Sequence, residues 1–98
     1  MLVLRDKVIM CCRRALQNAV TPTLRAVTVD YNNKLMVLRA YFDNGATVSD
    51  KKLLDGSLTE IEADLKHEIE KFNLDIVDLP SPGKMKVLKD WIYRRAED

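Results

Sequence analysis

The alternation of apolar and polar positions predicts a β-hairpin over residues 24–42. Asn32-Asn33 marks the turn, since asparagine tolerates the positive φ that both central positions of a type I′ turn require. A two-residue turn there pairs Tyr31 with Lys34. In this register one face of the hairpin is apolar, and its members are Val27, Val29, Met36, Leu38 and Phe42. The opposite face is mixed, with Leu24, Thr28, Asp30, Leu35, Val37, Arg39 and Tyr41.

Helical spacing of apolar residues predicts two amphipathic helices. The first covers about residues 3–19 and ends before Pro22. The second covers about residues 49–72 and has Ser49 with Asp50 at its start. Gly56 lies inside the second helix at a cost of about 1 kcal/mol relative to alanine. A capping box from Ser57 to Glu60 offers an alternative start for this helix.

Two further strands complete the predicted elements. Residues 74–79 read as a strand that the loop Pro80–Gly83 ends. Residues 87–95 read as a strand because Trp91, Ile92 and Tyr93 favour sheets, although their spacing also fits a short helix. The order α-β-β-α-β-β then predicts an α+β, two-layer sandwich. Its four-stranded antiparallel sheet carries both helices on one face and leaves the other face open.

Length and composition predict one soluble globular domain over residues 1–98. The chain is 47% apolar and 32% charged, and it has no apolar run near the ~20 residues of a membrane span. Arg5, Asp6 and Lys7 interrupt the apolar start that a signal peptide would need. Cys11 and Cys12 are the only cysteines, and adjacent thiols without a second pair are typical of a reducing compartment. We therefore expect a protein of a reducing compartment.

The net charge is +1 but is unevenly distributed. Residues 1–48 carry +4, residues 49–79 carry −5 and residues 80–98 carry +2. A nearly neutral total argues against general nucleic-acid binding. We predict that the acidic arc of the second helix, Glu60, Asp64 and Glu68, binds a protein partner. The open sheet face is the second candidate surface, with Arg39, Tyr41 and Trp91.

No pattern in the chain predicts catalysis. His67, the single histidine, lies on the polar side of the second helix, and the carboxylates around it do not converge as a metal site would require. With three glycines, the chain also lacks phosphate-binding loops. We expect neither enzymatic activity nor a catalytic residue, metal or cofactor.

Two other functions remain open at this point. Tyr31, Tyr41, Trp91 and Tyr93, together with nearby arginines, would suit base stacking in a small RNA-binding or translation-associated domain. The RNA-recognition consensus of glycine and aromatics in one short run is absent. The chain is alternatively a self-associating subunit, a homodimer formed through the open sheet face or an edge strand.

Several segments resemble small bacterial immunity proteins of contact-dependent growth inhibition systems. They are residues 22–27 (PTLRAV), 41–43 (YFD), 80–82 (PSP) and 90–95 (DWIYRR). The resemblance implies a cytoplasmic protein without catalysis that binds one cognate toxin domain, often a nuclease. It would block the toxin's active site or its access to substrate. Immunity proteins of this class share no common site, so the resemblance transfers no binding residues. Inhibitors of nucleases are often acidic, and the charge of +1 departs from that pattern.

Overall fold

The computed structural model describes residues 3–81, 83–86 and 88–96. Its elements in chain order are α1 (Leu4–Ala15), β1 (Leu24–Tyr31), β2 (Leu35–Phe42), α2 (Val48–Leu65), β3 (Lys71–Asp78) and β4 (Asp90–Arg94). The α+β class, with two helices and a four-stranded sheet, is confirmed. The last element is a strand, as predicted, although Val87 at its expected start lies outside the described residues, as does Pro82 in the loop before it.

The sheet has the strand order β3-β2-β1-β4 and is mixed. Strand β1 is antiparallel to both β2 and β4, whereas β2 and β3 are parallel, with Leu35 opposite Lys71 and Phe42 opposite Asp78. The prediction of an all-antiparallel sheet is therefore wrong. The chain between β2 and β3 includes the whole of α2, and a helical crossover returns the chain to the end of the sheet from which β2 started.

The hairpin turn lies one residue later than predicted. Tyr31 pairs with Met36 instead of Lys34, and Val29 pairs with Leu38. Asn32 Oδ1 accepts hydrogen bonds from the backbone N–H groups of Lys34 (2.8 Å) and Leu35 (2.9 Å). The asparagine side chain thus builds the turn directly, without positive φ. The partners move by two positions, and because strands have a period of two the apolar face is unchanged.

A β-bulge at Arg25 corrects one further assignment. Leu24 pairs with Phe42 and Ala26 pairs with Tyr41, so Arg25 is the extra residue. The bulge shifts the alternation at the start of β1. As a result Leu24 belongs to the buried core and not to the mixed face.

Both helices cover the apolar face of the hairpin. The core joins side chains of α1, α2, β1 and β2, and its largest fully buried members include Val8, Leu24, Val27, Val29, Met36, Leu38, Phe42, Leu54, Ile61 and Leu65. Ser57 Oγ donates a hydrogen bond to Ala15 O at 2.8 Å, which joins the middle of α2 to the end of α1. Ser57 therefore lies inside α2 and does not start it.

The helix boundaries differ from those predicted. Thr47 is the N-cap of α2 and forms a reciprocal capping box with Asp50, in place of the Ser49 cap. The helix ends at Leu65, several residues before the predicted end at residue 72. Residues 70 and 71 instead donate backbone hydrogen bonds to Asn33 O (3.1 Å) and Lys34 O (3.0 Å). Sheet pairing therefore outweighs the helical spacing of Ile69 and Phe72.

The described residues between β3 and β4, which are 79–81, 83–86, 88 and 89 and which we call the crossover segment, pass over the other face of the sheet. They connect β3 at one edge to β4 at the opposite edge. Tyr41 Oη donates to Lys86 O at 2.6 Å, and Arg25 donates to Leu79 O at 2.6 Å and to Gly83 O at 2.9 Å. The prediction that this face is open is therefore wrong over the region of Arg25 and Tyr41. None of the helices in the described ranges is long and apolar enough to span a membrane.

Candidate partner-binding surface

The acidic arc lies on the side of α2 that borders α1. Glu60 and Asp64 are one helical turn apart and exposed, and Glu68 follows in the turn after the helix, half-buried. Asp64 accepts a hydrogen bond from Arg14 Nη2, and Glu68 Oε1 accepts one from Lys7 Nζ at 3.4 Å. Two of the three carboxylates are therefore already paired with cations of α1.

These ion pairs define how the two helices meet. Ala15 and Arg14 at the end of α1 contact Ser57 and Asp64, whereas Lys7 near its start contacts Glu68. The helices are consequently antiparallel neighbours, and opposite charges face each other across their junction. Half-exposed pairs of this kind stabilise a fold by about 0–1 kcal/mol each. Their main consequence here is that they reduce the net negative charge that the acidic arc presents to a partner.

A groove of about 570 Å³ runs between α1 and α2 beside these pairs. Met10, Cys11 and Leu65 contribute apolar surface to it, and Arg13 and Arg14 contribute charge. The side chain of Met10 is strongly exposed. The helix pair therefore presents an apolar depression bordered by charges of both signs, which is the general composition of a protein-binding patch.

The two adjacent thiols differ in their surroundings. Cys11 is half-buried at the groove, and burial, reinforced by the Asp64 charge, raises the pKa of its thiol. Cys12 is fully buried in the core, where burial raises the pKa of its thiol to about 12. Neither environment favours the thiolate, which is the form in which a cysteine acts as a nucleophile.

The fold buries one of the three residues of the second predicted surface and leaves the other two partly exposed. Tyr41 is only 3% exposed and lies under the crossover segment. Arg39 Nε donates to Asp75 Oδ2 at 2.7 Å, and hydrogen bonds to Tyr41 and Asp75 raise the pKa of its guanidinium. Trp91 is half-buried on β4, with the Arg94 guanidinium 5.0 Å from its ring centre. Of these three residues, Arg39 and Trp91 retain partial access to solvent, on strands at either side of β1.

Base stacking requires exposed aromatic rings, and the fold removes two of the four aromatics that suggested it. Tyr31 is buried in the core and Tyr41 is buried beneath the crossover segment. The remaining pair, Trp91 and Tyr93, are both on the short edge strand β4. The arrangement therefore lacks the adjacent central-strand aromatics of a sheet-platform RNA binder.

The described part of the chain brings no three His, Cys, Asp or Glu side chains together in a way that would hold a metal. His67 is exposed in the turn after α2 and does not line the groove. Three features of the helix pair stand out: the ion pairs between α1 and α2, the apolar groove beside them, and the exposed carboxylate of Glu60. Together they are typical of a small α+β protein that binds another protein.

Comparison with known families agrees with this class. The chain belongs to the MafI2 immunity protein family, whose model matches residues 5–97 and so spans both helices and all four strands. The match confirms the resemblance to bacterial toxin–immunity proteins and implies a cognate toxin as partner. It does not point to contact-dependent growth inhibition in particular. Immunity proteins are typically not enzymes. No curated protein gives a significant match.

Proposed function

We propose that this protein neutralises its cognate toxin by binding the toxin domain directly through the outer surface of α1 and α2. The observation that carries the proposal is the immunity-family match over residues 5–97. The choice of surface is supported by the exposed carboxylates of α2 and the apolar groove beside them. The sheet face is the weaker candidate because the crossover segment covers Tyr41 and Arg25.

The charge arrangement favours occlusion over imitation of nucleic acid. A phosphate mimic needs a row of unpaired carboxylates, but Asp64 and Glu68 are paired with Arg14 and Lys7. If the toxin is a nuclease, as the resemblance implies, we propose that this chain covers the approach to its active site. The unpaired Glu60 would then guide association with a cationic part of the toxin.

Protection in cells tests the function itself. A candidate toxin domain, chosen by finding a toxin gene next to the gene for this chain, would be induced in a bacterial host with and without co-expression of the protein. We expect wild-type protein to restore growth and to co-purify with the domain. Toxicity that is unchanged when the folded protein is abundant would contradict the proposed function.

Charge reversal tests the surface. Replacing Glu60, Asp64 and Glu68 together by lysine should weaken toxin binding without unfolding the protein. The single variant Glu60→Lys is the cleaner probe because Glu60 forms no ion pair in the described chain, whereas the other two reversals also break contacts with α1. It should slow association several-fold at low salt, and less at high salt.

Glu62→Lys provides a matched control. It makes the same change of charge on the same exposed helix but points about 200° away from Glu60. We expect its association rate to remain within about twofold of wild type. Equal effects of the two substitutions would show that overall charge, and not the proposed surface, governs binding.

A further inference from the structure

Of the five exposed large apolar side chains in the described residues, three lie on or next to α1. Val3 is 62% exposed, Met10 58% and Val20 43%, and the other two, Val48 and Leu53, are on α2. Met10 is the member that lies in the groove between α1 and α2, next to Cys11 and Arg13. An exposed methionine beside an apolar depression is a flexible contact surface that suits a partner's apolar side chain.

The cations around the groove differ in whether they form ion pairs. Arg14 is paired with Asp64 and Lys7 with Glu68. Arg13 also borders the groove, is exposed, and makes no ion pair or hydrogen bond in the described parts of the chain. The groove therefore has one cation in excess, and Arg13 lies about one helical turn after Met10, the most exposed apolar residue of the groove. The complementary partner group is a carboxylate next to an apolar side chain.

We propose that this groove holds the anchor of the toxin interface, a segment that places an apolar side chain against Met10 and Cys11 and a carboxylate against Arg13. This inference rests on the proposed function, since it takes the toxin domain as the occupant. It assigns most of the binding energy to α1, whereas Glu60 on α2 contributes mainly to the rate of encounter. Buried anchors of this type dominate the affinity of protein interfaces, and rim charges contribute less.

Substitutions on α1 test the anchor by titration against the purified, catalytically silenced toxin domain. Met10→Ser should weaken binding at least tenfold because it removes the apolar contact while keeping the surface soluble. Arg13→Glu should do the same because it places two carboxylates together, and Arg13→Lys should recover most of the loss. Wild-type affinity in both Met10→Ser and Arg13→Glu would overturn the proposal.

Two matched controls lie elsewhere on the molecule. Val48→Ser removes an even more exposed apolar side chain at the start of α2, and Lys84→Glu reverses an exposed cation on the crossover segment. Both variants should bind within about twofold of wild type. A tenfold loss in either control would contradict the placement of the anchor on α1.

Cys11 provides a second readout without changing the anchor. Iodoacetamide should alkylate Cys11 slowly in the free protein and leave the buried Cys12 unmodified. Bound toxin domain should protect Cys11. A complex in which Cys11 still reacts at its free rate would overturn the inference while leaving the proposed function intact. Failure of wild-type protein to form any complex would overturn both, and protection by self-association alone would identify a second copy as the occupant.

Discussion

Arg25 attaches the start of the crossover segment to the second sheet face through two hydrogen bonds. It is the extra residue of the β1 bulge and is 2% exposed. Its guanidinium donates to Leu79 O at 2.6 Å and to Gly83 O at 2.9 Å, at the start of the crossover segment. Arg25→Met keeps the aliphatic volume but removes both hydrogen bonds. We predict a substantial loss of stability.

The expected loss follows from these two contacts. A hydrogen bond involving a charged group contributes about 1.5–3 kcal/mol, so two give roughly 3–6 kcal/mol. Leu79 and Gly83 are half-buried, and their carbonyl groups can regain water. We therefore expect the lower end, about 3 kcal/mol. In a domain of this size each kcal/mol lowers Tm by about 4–8 °C, which corresponds to a decrease of roughly 12–24 °C.

Urea denaturation followed by circular dichroism measures the effect. Arg25→Lys should fall between wild type and Arg25→Met, because lysine keeps the charge but lacks the planar fork that reaches two carbonyl groups. Lys84→Met, an exposed change in the same segment, should stay within about 0.5 kcal/mol of wild type. A similar value for Arg25→Met would refute the role assigned to Arg25.

Two further changes test α2. Gly56→Ala should stabilise the protein by about 0.5–1 kcal/mol in urea, because a β-carbon at this helical position meets no atom within 4 Å; destabilisation would contradict that geometry. The Thr47 N–H bonds to the Asp50 carboxylate and lowers its pKa below the usual 3.8. The stability gained from that charge is present above pH 3.8 and is lost as the pH falls through the lower folded pKa. Asp50→Asn should therefore be about 0.5–1 kcal/mol less stable than wild type at pH 7, and a gap that persists in strong acid would count against this origin.

The local patterns of the chain predicted its elements better than their arrangement. The apolar face of the hairpin was predicted correctly despite a wrong turn, because a shift of two residues preserves strand alternation. The parallel pairing of β3 was missed because residues 71–78 read the same whether they join β2 in one direction or the other. The early end of α2 was missed for a related reason. Ile69 and Phe72 fit helical spacing, but Phe72 pairs with β2 in the sheet, and this pairing depends on the fold.

The candidate site was likewise predicted only in part. Helical spacing placed Glu60 and Asp64 on one side of α2, as the structure has them. The pairing of Asp64 with Arg14, and of Glu68 with Lys7, depends on the relative position of two helices, which periodicity does not specify. The burial of Tyr41 depends on the crossover segment, whose residues show no period at all. Met10 and Arg13 were missed because exposure on α1 gives no sequence signal beyond a polar helix face.

Hydrogen–deuterium exchange of the protein, alone and in the presence of its silenced toxin domain, tests the central claim most directly. It reports at once whether a complex forms and which surface is covered. We predict slower exchange in residues 9–17 of α1 and its following turn and in residues 60–68 of α2 and its following turn, with the crossover segment and β4 unchanged. Slower exchange confined to the crossover segment and β4, or no change anywhere, would contradict the account.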